Sequence, residues 1–279
     1  MNTAELLVKC LEKEGVKYIF GLPGEENLNI LEALKSSSIQ FITTRHEQGA
    51  AFMADVYGRL TGKAGVCLST LGPGATNLMT GVADANLDGA PLVAITGQVG
   101  TDRMHIESHQ YLDLVTMFSP VTKWNAQIVR PSNTSEIVRK AFKVAQQEKP
   151  GAVHIDLPEN IATMSVEGKP LNPDKREKSY SAYQSMTEAA VAISKAKNPI
   201  ILVGNGGLRG NASEAITEFA TQLNIPIANT FMGKGVIPYT HPLSLWTTGL
   251  QQRDFITCAF EQTDLVIACL LYTSPSPRD

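Results

Sequence analysis

Glu47 is the first residue whose setting suggests chemistry. It stands in the first turn of a helical pattern, in a wall of small residues, and faces Leu71-Gly72-Pro73-Gly74, where two glycines leave the backbone open. A carboxylate so placed can meet a nitrogen of a ligand. It can equally do no more than favour the positive end of the helix dipole, worth about 0.3–1 kcal/mol. Two other places hold reactive residue types. His105 and His109 would share one face if their segment were helical, which is metal-pair geometry, but no third ligand is nearby. Gly204-Asn205-Gly206-Gly207 follows an apolar run and leads into a helical pattern. Such a turn can receive a phosphate or dinucleotide, although no acidic partner for a ribose is identifiable.

The elements that must position Glu47 are readable around it. Ile39 to Thr43 has strand composition and runs at once into His46-Glu47-Gln48. Ala50, Ala51, Met53, Ala54, Val56 and Tyr57 form an apolar stripe, and Gly62 falls where a left-handed cap would end the helix. Gly65 to Ser69 is a second strand and Ala75 to Ala85 a second helix. If both strands lie in one parallel sheet, both junctions sit at strand carboxyl ends, where open α/β sheets bind ligands. Upstream, Thr3 to Glu14 is an amphipathic helix, Tyr18 to Phe20 a buried strand, and Gly21-Leu22-Pro23-Gly24 a turn into a helix over 27–35. Glu25 and Glu26 read as solvated acids at that helix start. Downstream follow a strand over 91–96, a helix over 132–147 and a closing strand over 152–157, with His154 a core histidine.

Glu167 to Gln184 holds prolines, charges and serines without apolar periodicity and reads as a surface linker. A second α/β pattern begins after it, with helices over 186–196 and 212–223 and strands over 199–203, 225–228 and 264–271.

A length of 279 residues suggests two domains, and 43% hydrophobic with 18% charged residues describes a chain able to bury a substantial core. A net charge of -3 argues against a nucleic-acid surface. No apolar run approaches the roughly 18 residues of a membrane span. Glu5, Lys9, Glu12, Lys13 and Glu14 interrupt what a signal peptide would need to keep apolar. Cys10, Cys67, Cys258 and Cys269 are scattered, which suggests buried, reduced thiols in a cytoplasmic protein.

Three motifs occur in order: Arg45-His46-Glu47-Gln48-Gly49-Ala50-Ala51, Gly72-Pro73-Gly74-Ala75-Thr76-Asn77, and Asp88 to Val99, D-G-A-P-L-V-A-I-T-G-Q-V. Together they resemble the pyrimidine-binding domain of the acetolactate synthases, which are thiamine-diphosphate-dependent 2-keto acid enzymes. The resemblance runs from about residue 2 to 268. It implies an α/β fold: a parallel-sheet pyrimidine-binding domain over 1–165, a linker over 166–184, a truncated Rossmann-like middle domain over 185–271, and a non-native tail over 272–279. By the same resemblance Glu47 is catalytic and hydrogen-bonds the aminopyrimidine ring of thiamine diphosphate. The cofactor removes its own thiazolium proton with an imino nitrogen that exists only when the far ring nitrogen is protonated, and a carboxyl group supplies that proton. Asp would be shorter, and Gln could not transfer a proton. Pro23, Gly24, Thr70, Pro73 and Asn77 join Glu47 on the cofactor side, while Gln110 and His109 lie on the substrate side.

The implied activity is a transferase reaction, condensation of two pyruvates to 2-acetolactate with loss of carbon dioxide. The alternatives are another 2-keto acid decarboxylase or carboligase of the family, or a non-catalytic fragment. Relatives hold Mg2+ on the diphosphate through a Gly-Asp-Gly motif in a further domain. No Gly-Asp-Gly occurs in this sequence, so no metal site is expected within it and the chain alone is expected to be inactive. Biosynthetic members carry FAD in the middle domain and catabolic ones lack it, which leaves FAD open. The expected partners are pyruvate or another 2-keto acid and further copies of the chain, as a homodimer or tetramer with the site across the subunit interface; nucleic acid and membrane are not expected. Biosynthetic members also carry Gly and Ala where Glu25 and Glu26 stand here, so this part of the pocket differs.

Overall fold

The structure is a computed structural model that describes residues 1–173, 181–249 and 255–271. The tail reading at 272–279 and part of the linker reading, at 174–180, lie outside the described residues. The chain divides into two compact units, Met1–Arg176 and Glu177–Asp279.

The first unit runs α1 (Thr3–Lys13), β1 (Tyr18–Gly21), a 3-10 turn (Glu25–Asn27), α2 (Leu28–Leu34), β2 (Gln40–Thr43), α3 (Glu47–Thr61), β3 (Gly65–Ser69), α4 (Gly72–Asp88), β4 (Leu92–Gln98), α5 (Leu114–Phe118), β5 (Trp124–Gln127), α6 (Thr134–Gln146), β6 (Ala152–Pro158) and α7 (Glu159–Thr163). Its strands form one parallel sheet in the order β2-β1-β3-β4-β6-β5. The chain leaves β1 toward β2 and returns to β3 on the other side. The carboxyl ends of β1 and β3 therefore flank a topological switch point, where an open sheet leaves a crevice.

Both faces of the sheet are covered, so β3, β4 and β6 are buried throughout. Leu6, Leu7 and Leu11 of α1, Ile30 of α2 and Phe142 of α6 pack on one face. The other face is built from small residues, among them Ala50, Ala51 and Ala54 of α3 and Ala75, Val82 and Ala85 of α4. Local signals set the helix ends. Asn2 and Glu5 form a reciprocal capping box on α1. On α3, His46 Nδ1 accepts from Gln48 N at 3.1 Å, and Gly62 ends the helix at φ 67°. Arg59 of α3 binds Asp55 on its own helix and Asp84 and Asp88 on α4, tying the two helices together.

The second unit contains α8 (Tyr183–Lys195), β7 (Pro199–Val203), α9 (Gly206–Arg209), α10 (Ser213–Leu223), β8 (Ile227–Asn229), β9 (Ser244–Thr247), α11 (Phe255–Glu261) and β10 (Leu265–Cys269). Its sheet has the order β10-β7-β8-β9, again parallel. Among the described residues, no helix is long and apolar enough to cross a membrane.

Several expectations need correction. Gly72-Pro73-Gly74 is the first turn of α4, not a loop before it. Residues 104–113 are not helical: Asp113 caps the short α5, accepting from Thr116 N at 3.0 Å, so His105 and His109 share no helix face. No metal-binding cluster occurs among the described residues. Cys10 and Cys67 are buried, but Cys258 is exposed, on a helix whose one buried residue is Ile256.

Gly65 lets α3 lie on the sheet, because a Cβ there would overlap the Ala54 carbonyl oxygen. Gly65→Val is expected to cost about 2 kcal/mol or more in urea unfolding, since neither backbone can give way. Gly49→Ala, on the exposed face of α3 with open space around it, is expected to stabilise by about 0.5–1 kcal/mol.

Candidate active site

Glu47 opens α3 directly after β2, and its side chain points into the protein, leaving the residue 6% exposed. Asn77, on α4, donates from Nδ2 to Glu47 Oε2 at 3.0 Å. Oε1 accepts no hydrogen bond among the described residues. It borders Gly74, where a Cβ would lie 3.3 Å from Oε1 and 2.9 Å from Thr70 Cγ2. Gly74 thus has no room for a side chain, and its backbone packs closely against Glu47 and the Thr70 methyl. Gly24, in the turn after β1, packs on the other side of Thr70. Gly72 has φ 51°, a left-handed conformation suited to glycine, and lies under the backbone of Gln110.

Gly24, Glu47, Thr70, Asn77 and Gln110 are therefore gathered around the start of α4. Pro73 is exposed on that first turn, Pro23 is exposed beside Gly24, and His109 is exposed beside Gln110 without a contact to the group among the described residues. The segment carrying Gln110 is anchored by Gln98, the last residue of β4, whose Nε2 donates to Leu112 O at 3.0 Å.

One carboxylate differs from its expectation. Glu25 is exposed, but Glu26 is turned inward at 9% exposure, and Thr70 Oγ1 donates to its Oε2 at 2.5 Å. Asn27 causes the rotation. Its Oδ1 accepts from Gly24 N at 3.0 Å and its Nδ2 donates to Leu22 O at 3.1 Å, which winds 25–27 into a 3-10 turn. An asparagine three residues after Gly24 is the sequence signal that could have shown this.

Beneath the Gln110 segment lies a buried polar network that the sequence did not reveal. Thr96 Oγ1 donates to Asp156 Oδ1 at 2.7 Å, and Gln127 Nε2 donates to Asp156 Oδ2 at 2.7 Å. With its hydrogen on Asp156, Thr96 accepts from His154 Nε2 at 2.8 Å; His154 Nδ1 is left without a partner, and the ring stacks on Phe118. His154 is the core histidine expected, and burial pulls it down to about 3. Burial pushes Asp156 up to about 6, against the opposing hydrogen bonds from Gln127, Thr96 and Gln98.

The Gly204 turn does not serve the long helix. Gly206 opens the four-residue α9, and Gly204 packs under the chain leaving β10, where a Cβ would lie 2.7 Å from Leu270 O.

Residues 1–117 match the family described as "Thiamine pyrophosphate enzyme, N-terminal TPP binding domain", and residues 186–269 match "Thiamine pyrophosphate enzyme, central domain". The chain belongs to the thiamine pyrophosphate enzymes. It is 41% identical over 275 residues to a probable acetolactate synthase large subunit of Methanocaldococcus jannaschii, covering 96% of this chain and 46% of the relative. It is 36% identical over 267 residues to the acetolactate synthase isozyme 1 large subunit of Escherichia coli strain K12, covering 95% and 47%. It is 35% identical over 273 residues to the acetolactate synthase large subunit of Corynebacterium glutamicum, covering 96% and 44%. The chain thus spans about half the length of the curated relatives it matches. In this thiamine pyrophosphate enzyme the group around Glu47 lies within the matched TPP binding domain, whereas Gln127, His154 and Asp156 lie beyond its last matched residue, 117.

The two buried titrations oppose each other. His154 binds its proton less tightly folded (about 3) than at its ordinary 6.5, so its contribution is lost as pH falls through that window. Asp156 binds its proton more tightly folded (about 6) than at 3.8, so its contribution is lost as pH rises. Asp156→Asn removes only the second effect. Between pH 6 and 4 its unfolding free energy is expected to fall by about 1 kcal/mol more per pH unit than that of the parent, read from urea melts across pH.

Proposed function

We propose that this chain supplies the pyrimidine side of a thiamine diphosphate site in an acetolactate synthase, which condenses two pyruvates to 2-acetolactate with release of carbon dioxide. The activity is assigned to the whole protein, of which this chain is about half by the length of its relatives. The observation that carries the reading is Glu47: a buried carboxylate with one oxygen held by Asn77 and the other, beside Gly74, accepting no hydrogen bond among the described residues. A buried carboxylate with one oxygen to spare fits an aminopyrimidine, whose ring nitrogen needs a carboxyl partner.

Thiamine diphosphate, when bound, supplies the nucleophilic carbon and the electron sink for cleaving the bond beside a keto group. The chain's own residues bind and orient it. Glu47 Oε1 would hold a proton toward a ring nitrogen, and Asn77 fixes the carboxylate's rotation through Oε2. Thr70, Gly24, Pro23 and Pro73 would wall the ring, and Gln110 and His109 would border the keto acid. Magnesium belongs with residues outside this chain, which is therefore not expected to turn over alone. Met53, Val56 and Leu60 are exposed in a stripe running down α3 from the Glu47 end, which supports a second copy covering this face and a site shared between subunits. Four free cysteines support a cytoplasmic location.

In the protein at its relatives' length, Glu47→Gln is expected to lower kcat for acetolactate formation by about 100-fold or more with an unchanged melting temperature. Near-normal turnover would overturn the assignment of Glu47. Aldehyde as the main product from pyruvate would replace the synthase reading with a decarboxylase.

A further inference from the structure

Gln98 is a buried amide to which the proposed function gives no role. It ends β4, and both ends of its amide are used on backbone groups: Oε1 accepts from Val99 N at 3.0 Å, and Nε2 donates to Leu112 O at 3.0 Å. One side chain therefore joins the two ends of the irregular stretch 99–112 and closes it at its base. Only an amide does both at once, since an ionised carboxylate cannot donate and a thioether cannot donate either.

The two limbs of this stretch are held differently. The near limb is tied to α7. Glu159 Oε1 accepts from Gly100 N at 3.2 Å and from Arg103, while Asn160 Oδ1 accepts from Thr101 N at 3.1 Å and its Nδ2 donates to Thr101 Oγ1 at 2.8 Å. In the far limb Tyr111 N donates to Ser108 O at 3.3 Å, within the stretch itself, and Gln98 fastens Leu112 to the end of the sheet. Gln110, two residues before that tie, has φ 57°, and its backbone lies against Gly72, where a Cβ would be 2.6 Å from Gln110 O. Ser69, three residues before Gly72, pairs with Thr96, two residues before Gln98. The tie is thus made next to the place where Gln110 rests on the first turn of α4.

We propose that Gln98 is a positioning residue for the keto acid: by holding Leu112 to the end of β4 it keeps Gln110 seated on the start of α4, and so sets the affinity for the keto acid. This rests on the reading of the Glu47 site as a thiamine diphosphate site with Gln110 on the substrate side. A purely structural Gln98 would change the melting temperature and leave KM unchanged.

The test uses the full-length protein with thiamine diphosphate and magnesium, and reads KM and kcat for pyruvate beside cofactor affinity from fluorescence titration. Gln98→Met keeps the length of the side chain and removes both hydrogen bonds. It is expected to raise KM about fivefold, the size of one hydrogen bond, with smaller changes in kcat and in cofactor affinity. Amides of 104–112 are expected to exchange hydrogen faster in this variant, and those of α3 at the parental rate. Gln98→Asn, one methylene short of Leu112 O, is expected to raise KM similarly and carries the test if Gln98→Met does not fold. Asn160→Ala, which releases the near limb at Thr101, is expected to leave KM within about twofold of the parent. An unchanged KM in a folded Gln98 variant, or an equal rise in Asn160→Ala, overturns the proposal. Failure of the full-length protein to bind thiamine diphosphate at all would instead overturn the reading of the site.

Discussion

Helices α3 and α4 can converge on Glu47 because small residues stand at their closest approach. A Cβ on Gly81 of α4 would lie 2.6 Å from Ala51 Cβ, and alanines supply most of the remaining contact. At the far end Arg59 locks the pair through three carboxylates. At the near end this closeness puts Asn77 within hydrogen-bond reach of Glu47. Burying a carboxylate is costly unless it is partnered. Here one amide donor and the first turns of two long helices, 15 and 17 residues, offset that cost. A bulkier interface would separate the helices and leave the carboxylate without its partner.

The sheet supplies a second constraint beneath the site. β4 and β6 are buried along their whole length, yet Thr96, Gln98, His154 and Asp156 are among the residues they bury. Such groups are tolerable because nearly every one of their atoms is paired, with His154 Nδ1 the exception. Gln98 links this network to the segment above. It contributes to holding Asp156 in place and grips Leu112 O, two residues after Gln110. The irregular backbone at Gln110, with φ 57°, is thereby fastened to the most rigid part of the unit.

Much of this was legible in the sequence, for local reasons. The run Gly65–Ser69 is apolar and flanked by breakers, and α3 starts and stops where His46, Glu47 and Gly62 signal. The start of α4 was hidden because Gly72-Pro73-Gly74 has turn composition, although Pro in the first turn of a helix costs no hydrogen bond. β5 and β9 went unread because they are four-residue edge strands with little apolar patterning, held only by their neighbours. Glu26 was misread for a related reason. Its direction depends on the Asn27 turn and on Thr70, a partner that becomes adjacent only when β1 and β3 pair.

The charge of the gathered residues limits what they can hold. Glu26 and Glu47 each give one oxygen to a neutral side-chain donor, Thr70 and Asn77, and neither is paired with a cation among the described residues. Gly24, Thr70, Gly74, Asn77 and Gln110 add no positive charge. Such a set suits a ring that brings donors and a proton. It does not suit a diphosphate, whose two or more negative charges need a metal or basic groups. The ring and the phosphates of one cofactor must therefore be served by different residues. On the proposed reading the group around Glu47 would serve the ring, with the phosphates held by other residues.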